Sequence, residues 1–148
     1  MIIQIGRELT TSQLWQMAEV GNTIELSSDA VERINKGHQF LLNKIKDSDT
    51  PIYGINTGFG SLYDKKIESE DLSQLQENLL MSHACGVGDT MPDEVVRLML
   101  ALKVQSLSYG NSGVSMQLVD ALLYLYNNNI LPVIYSMGSL GASGDLSP

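Results

Sequence analysis

The segment from Val95 to Leu107 most constrains what this chain can fold into, because it is apolar almost all the way round a helix. Thr90, Pro92 and the acidic pair after Pro92 predict the start of this helix, with the Thr90 hydroxyl as its cap. A helix of this kind is buried on most sides, and we take Lys103 as its polar exception. We therefore expect a mainly α fold in which further helices, or other subunits, cover this segment.

The N-terminal part of the chain predicts one helix between two short β-type runs. Thr10 and Gln13 have the three-residue spacing of a capping box, and Gly21 ends the apolar pattern that follows them. Residues 2–5 and 23–26 have the composition of strands. We expect them to form a minor β pairing near the N-terminus.

Three more helices are predicted from apolar periodicity. One begins with Ser27 or Ser28 as its cap and runs to about Lys46, and it has an apolar stripe at spacings of three and four: Val31, Ile34, His38, Leu41 and Ile45. The others run over residues 71–81 and 114–126. Glycine-rich loops separate the helices, at residues 53–61, 85–88, 110–113 and 138–144.

Composition excludes several classes of function. The chain has 148 residues, of which 43% are hydrophobic and 18% charged, as in a globular protein. Its net charge of −8 and its scattered basic residues give no nucleic-acid surface. Its single cysteine, Cys85, and two histidines give neither a disulfide framework nor a metal site. No apolar run approaches a membrane span and no signal-peptide pattern is present, so we expect a cytoplasmic protein.

The first glycine-rich loop places aromatic side chains among glycines. It lacks the Gly-Lys-Ser/Thr ending of a phosphate loop, and Tyr63 stands where a dinucleotide fingerprint needs a third glycine. It is either a flexible turn or a mobile loop that holds Tyr53 over a site. His83 precedes the second loop at a predicted helix C-terminus, where dipole complementarity and a substrate contact explain a histidine equally well.

The stretch from Gly141 to Asp145 has two interpretations. It is a Gly/Ser turn with Asp145 as a helix N-cap, or its backbone is itself a reagent. If the nitrogen of Gly144 attacks the carbonyl carbon of Ala142, a five-membered ring closes. Loss of water, including the Ser143 hydroxyl, then leaves an exocyclic methylene, which is a strong electrophile.

Four segments, taken together and in this order, resemble the aromatic amino-acid ammonia-lyase family. They are Tyr53-Gly54-Ile55-Asn56-Thr57-Gly58-Phe59-Gly60, Ser82-His83-Ala84-Cys85-Gly86-Val87-Gly88, Ser106-Leu107-Ser108-Tyr109-Gly110-Asn111-Ser112-Gly113 and Gly138-Ser139-Leu140-Gly141-Ala142-Ser143-Gly144-Asp145-Leu146. The resemblance covers essentially the whole chain. It implies the helical N-terminal part of an ammonia-lyase-like fold with glycine-rich active-site loops.

The resemblance also implies a site. Ala142-Ser143-Gly144 would cyclise autocatalytically into a 4-methylideneimidazol-5-one (MIO) group, with Ser143 supplying its methylene and Asp145 assisting ring formation. Tyr53 would be the base that removes a β-proton, and Gly60 would lie close to the substrate. The reaction implied is the non-oxidative loss of ammonia from an amino acid, with no metal.

Substrate choice in this family is associated with the two positions that Ser82 and His83 occupy here. Ser-His resembles the members that convert L-histidine into trans-urocanate and ammonia, since an imidazole can exchange a hydrogen bond with a substrate imidazole. A tyrosine or phenylalanine lyase, or an aminomutase with the same group, is the alternative. Asn111, where the family often has an aromatic residue, leaves the subfamily open.

The family's chains are several-fold longer and form homotetramers whose sites combine several subunits. We therefore expect residues 1–148 to be a single N-terminal domain of a longer, truncated chain that ends here at Pro148. Alone, this piece is expected to be inactive, and a non-catalytic helical assembly module is the competing hypothesis for it. A serine hydrolase is excluded, since Ser143 does not stand in a Gly-x-Ser-x-Gly motif.

Overall fold

The computed structural model describes residues 1–46, 51–53, 55–57, 71–141 and 144–146 and divides the chain into two compact units. Unit 1 comprises Met1–Asp47 and Pro92–Pro132, and unit 2 comprises Ser48–Met91 and Val133–Pro148. The elements in chain order are β1 (Ile2–Ile5), α1 (Thr11–Ala18), β2 (Thr23–Leu26), α2 (Ser28–Lys46), α3 (Leu72–His83), β3 (Val87–Thr90), α4 (Asp93–Leu107), α5 (Met116–Asn127), β4 (Tyr135–Met137), β5 (Ser139–Gly141) and β6 (Gly144–Leu146).

Unit 1 begins with a β–α–β arrangement. β1 and β2 pair in parallel, with Ile2 opposite Thr23, which confirms the predicted N-terminal pairing. α1 connects them and starts with the predicted capping box. The Gln13 backbone N–H donates to Thr10 Oγ1 (3.3 Å), and the Thr10 backbone N–H donates to Gln13 Oε1 (2.9 Å).

The hydrophobic core of the described chain lies in unit 1, around α4. α4 contacts α1 and α5, as the apolar pattern predicted. The interpretation of its polar residues was incomplete, because Arg97 and Gln105 are buried while Lys103 is exposed. Hydrogen bonds to loops of unit 1 engage most of their polar atoms, although Nε of Arg97 has no partner among the described atoms. A periodicity argument does not contain those partners. The core residues are Ile3, Ile5, Met17, Ile24, Ile34, Leu100, Ala101, Val104, Leu107, Val119 and Tyr126.

α2 packs by the predicted stripe. Ile34 is buried, and Val31, His38, Leu41 and Ile45 are partly buried. The ring of His38 is hydrogen-bonded through Nδ1 to the carbonyl oxygen of Gly113 (2.8 Å). It is a satisfied packing residue of unit 1, for which no catalytic role was predicted.

Unit 2 contains α3 and two short antiparallel pairs, β3 with β4 and β5 with β6. The prediction that Thr90 caps α4 is wrong. Thr90 lies in β3 opposite Tyr135, and α4 has Pro92 as N-cap with no side-chain bond. The cause is a strand pairing to a segment far along the chain, which outweighs the local capping signal. On α3, the apolar side chain of Leu80 is 73% exposed.

The predicted helix N-cap at Asp145 is also wrong. Asp145 lies in β6 opposite Leu140, and Gly144 lies opposite Gly141. The prediction that residues 1–148 form a single domain of a longer chain stays a prediction. Within the described ranges, no helix is long and apolar enough to cross a membrane.

Candidate functional site

The described residues of the predicted site all belong to unit 2. These are Tyr53, Ser82 and His83 with their side chains, and Gly144 and Asp145 by their backbone. Gly60, Ala142 and Ser143, which the sequence also singles out, lie outside the described residues. That Tyr53, the Ser82-His83 pair and the stretch at 142–144 meet around one substrate therefore stays a prediction.

Ser82 and His83 form a hydrogen-bonded pair at the C-terminal end of α3. The Ser82 hydroxyl donates to the carbonyl oxygen of Leu79 (3.0 Å), and Nδ1 of His83 lies 2.8 Å from both that oxygen and Ser82 Oγ. A carbonyl oxygen can only accept, so Nδ1 carries the proton. In the neutral ring Nε2 is then the acceptor nitrogen. One backbone oxygen thus sets the tautomer of this histidine.

The position of this pair follows from how α3 ends. His83 is the last residue of the helix, and the backbone N–H of Ala84 donates to the carbonyl oxygen of Leu80. The carbonyl oxygen of Leu79 lies four residues before His83, and it accepts the side-chain donors of Ser82 and His83 in addition to the helix's own backbone bond. His83 is half-buried and Ser82 is exposed. The helix end therefore presents an oriented imidazole.

Tyr53 lies in a turn that spans residues 52–56, and its side chain is 60% exposed. Sequence reasoning missed the residue that closes this turn, Asn56, which is only 5% exposed. The signal was present, since asparagine side chains often bond to nearby backbone groups in turns. The surrounding glycines instead favoured a flexible or mobile loop.

β5 and β6 are antiparallel, and Gly141 lies opposite Gly144. Formation of an MIO ring needs the nitrogen of Gly144 to reach the carbonyl carbon two residues earlier. Gly144 has no Cβ to obstruct that approach. The residue types at 142–144 and the pairing of the two flanking glycines therefore fit the group.

In the part of the chain that the structure describes, no group of three or more His, Cys, Asp and Glu side chains is placed to hold an ion. The predicted site residues of unit 2 whose side chains are described contribute a hydroxyl, an imidazole and a phenol. This set suits hydrogen bonding and proton transfer to an organic substrate.

The fold and these loops define a class of protein, and the chain belongs to the aromatic amino acid lyase family, whose model matches residues 9–148. It is 48% identical over 144 residues to a histidine ammonia-lyase of Deinococcus radiodurans. Among solved structures it is similar to histidine ammonia-lyase from Trypanosoma cruzi (37% identity, TM-score 0.83) and to tyrosine aminomutase from Streptomyces globisporus (26% identity, TM-score 0.86). The family resemblance and the helical ammonia-lyase fold are thereby confirmed.

The matches cover nearly all of this chain but a minor part of each relative. The Deinococcus comparison covers 97% of this chain and 27% of the relative. The two structural comparisons each cover 94% of this chain, with 27% of the Trypanosoma chain and 26% of the Streptomyces chain. The chain thus spans about a quarter of the length of the proteins that it matches.

Proposed function

We propose that residues 1–148 form the N-terminal domain of a longer histidine ammonia-lyase, which converts L-histidine into trans-urocanate and ammonia. The observation that carries this proposal is the 48% identity to a histidine ammonia-lyase over 97% of the chain. The fraction of each relative that is matched supports a longer protein. On this account the isolated chain is inactive, because it supplies only part of a site.

The electrophile of this enzyme is proposed to be an MIO group made from Ala142-Ser143-Gly144. When formed, the group supplies an electrophilic methylene carbon that makes the substrate's amino nitrogen a better leaving group. Gly144 supplies the ring-closing nitrogen, Ser143 supplies the carbon that becomes the methylene, and Asp145 assists ring formation. The antiparallel pairing of Gly141 with Gly144 supports this assignment.

The other residues of the chain bind the substrate and move its proton. Tyr53 accepts the β-proton of the substrate, and Gly60 lies beside the substrate. His83 hydrogen-bonds the substrate imidazole, and Ser82, the other residue of the substrate-binding pair, orients the His83 ring. A tautomer fixed by the carbonyl of Leu79 supports this role, because an oriented imidazole discriminates between a polar and an apolar substrate ring.

Mass spectrometry of the longer protein tests the prosthetic group. We expect a peptide containing residues 142–144 that is lighter than its sequence by two water molecules. The Ser143→Ala variant is the matched control, and it cannot lose the serine hydroxyl. A wild-type peptide of unmodified mass would contradict the proposal that these residues form an electrophile.

A second candidate function is that of an aminomutase or a tyrosine or phenylalanine lyase with the same electrophile. The observation that favours it is the TM-score of 0.86 to a tyrosine aminomutase. At 26% identity that likeness is weaker in sequence than the likeness to histidine ammonia-lyases. Analysis of the products separates an aminomutase from a lyase, since an aminomutase yields a β-amino acid instead of free ammonia.

We further propose that the longer protein is a cytoplasmic homotetramer, and the family resemblance supports its oligomeric state. Large apolar side chains are exposed in both units, as expected for surfaces that other parts of such an assembly cover. These include Trp15 and Val20 in unit 1 and Leu80 and Met81 in unit 2. Light scattering of the longer protein checks this, and a monomer would contradict it.

A further inference from the structure

The turn that carries Tyr53 is closed from both sides by Asn56. The backbone N–H groups of Ile55 and Asn56 both donate to the carbonyl oxygen of Ile52, at 3.0 and 3.2 Å. In the opposite direction, Oδ1 of Asn56 accepts the backbone N–H of Ile52 at 2.7 Å. Both polar backbone groups of the residue that precedes Tyr53 are therefore bonded within the turn.

Burial distinguishes Asn56 from Tyr53. The side chain of Tyr53 is 60% exposed, whereas Asn56 is 5% exposed and Thr57 is fully buried. Among the residues of unit 2 whose side chains the structure describes, Asn56 and Thr57 are the buried ones, and both are polar. A buried amide must be hydrogen-bonded, and one of its bonds goes to the backbone next to Tyr53.

Asn56 thus belongs to the buried part of unit 2, and Tyr53 belongs to its exposed part. The backbone of Ile52 links them, because the peptide bond from Ile52 to Tyr53 begins at the carbonyl group that the turn holds. The direction in which the Tyr53 side chain leaves the backbone therefore depends on the turn.

We propose that Asn56 is a positioning residue for Tyr53, and that it does so by holding the Ile52–Asn56 turn through the bond from the Ile52 N–H to Asn56 Oδ1. This rests on the proposed function, in which Tyr53 is the base. A base works only at the right distance from its proton, and a displacement of about 1 Å costs roughly 100-fold in rate. On this account Asn56 acts through Tyr53 and not by a contact with the substrate.

A double-mutant cycle in the longer protein tests this with L-histidine as substrate. Asn56→Leu keeps the size of the side chain and removes the acceptor, so we expect kcat to fall about 100-fold while KM changes less than roughly threefold. Tyr53→Phe removes the base and lowers kcat by about 100- to 10,000-fold. If Asn56 acts through Tyr53, adding Asn56→Leu to Tyr53→Phe lowers kcat no further.

Two further variants control for structure. Asn56→Asp keeps an oxygen acceptor at the same position and should recover at least about tenfold of the kcat that Asn56→Leu loses. Asn43→Leu is the matched exchange at an exposed asparagine of α2, and it should leave kcat unchanged. Intact mass of each variant shows whether the electrophile still forms.

A readout that needs no turnover is hydrogen exchange at the Ile52 amide. Its exchange should accelerate in Asn56→Leu and stay close to the wild-type rate in Asn56→Asp and Tyr53→Phe. Unchanged protection in Asn56→Leu would overturn the proposal, because the hydrogen bond would then not hold the turn.

An unaffected kcat in Asn56→Leu, or an equal loss of kcat in the wild-type and Tyr53→Phe backgrounds, would also overturn it. Near-normal turnover of Tyr53→Phe would remove Tyr53 as the base, and this proposal with it. The two failures are distinguishable, since the unexpected result then comes from the Tyr53 variant and not from the Asn56 variants.

Discussion

Arg97 is a buried cation whose recorded partners in the described chain are neutral. Its guanidinium donates to Asn129 Oδ1 (2.6 Å) and to the carbonyl oxygens of Glu19 (3.2 Å) and Asn22 (3.1 Å). It also lies over the ring of Tyr126, 4.4 Å from the centroid. α4 is thereby tied to the segment after α1 and to the end of α5, with Nε left without a hydrogen-bond partner among the described atoms.

Replacing this residue should therefore destabilise the protein although no carboxylate loses its partner. Arg97→Met removes three part-buried hydrogen bonds, and we expect the free energy of unfolding to fall by about 2–4 kcal/mol. Urea denaturation measures this. Arg7→Met, at an exposed arginine, is the control and should change stability by less than about 0.5 kcal/mol. An equal, small effect of both exchanges would contradict the role given to Arg97.

Tyr126 gives the unit a pH dependence at high pH. Burial raises its pKa above the usual 10.0, and this outweighs the opposite influence of the nearby Arg97 charge and hydrogen bond. Its hydroxyl donates to the carbonyl oxygen of Met17 (2.6 Å), so the native state keeps the proton. The unfolded chain releases that proton from about pH 10 upward, and stability should therefore fall as pH rises past this value.

The comparison of Tyr126→Phe with wild type isolates this contribution. The variant loses a buried hydrogen bond and is less stable at neutral pH, but its free energy of unfolding should decline less steeply above about pH 10. Tyr124→Phe, at a mostly exposed tyrosine of the same helix, should keep the wild-type slope. Equal slopes for Tyr126→Phe and wild type would show that this tyrosine does not titrate differently in the two states.

At the scale of elements, α2 is held close to the loop after α4. Arg33 Nε donates to the carbonyl oxygen of Ser108 (3.2 Å), and His38 contacts that of Gly113. Between these bonds Gly37 faces Gly110, whose φ of +77° favours glycine. A Cβ at position 37 would overlap the carbonyl oxygen of Gly110. The absence of a side chain is what permits this approach.

Gly37→Ala should therefore destabilise unit 1 although alanine is the better helix former by about 1 kcal/mol. We expect a loss of about 1–3 kcal/mol in the free energy of unfolding, because helix and loop must separate. Asn35→Ala, on the exposed side of α2, is the control and should be neutral or slightly stabilising. A stabilised Gly37→Ala variant would contradict the close packing.

Local signals in the sequence predicted the elements of unit 1 well. The capping box at Thr10, the β1–β2 pairing and the stripe of α2 are each set by residues a few positions apart. The failures involve partners distant in sequence. Thr90 pairs with Tyr135 in a sheet instead of capping a helix, and Asp145 lies in β6. Such pairings depend on tertiary contacts that outweigh local propensity.

At the scale of the whole molecule, the prediction of the site came from the family resemblance and not from periodicity. From spacing alone, dipole complementarity and a substrate contact explained His83 equally well. Spacing also left open the purpose of the loop that contains Tyr53. The structure adds what neither argument contained, which is the shared oxygen of Leu79 at His83 and the closure of the Tyr53 turn by Asn56. Both are backbone contacts, and a side-chain pattern does not encode them.

The most direct test of the proposed function is ammonia release by the longer protein from L-histidine, L-tyrosine and L-phenylalanine under the same conditions. We predict that kcat/KM for histidine exceeds that for the other two by at least about 100-fold, because His83 is proposed to hydrogen-bond the substrate imidazole, whose nitrogens lie in the ring itself. His83→Leu should reduce this preference. A wild-type protein that prefers tyrosine or phenylalanine would contradict the account.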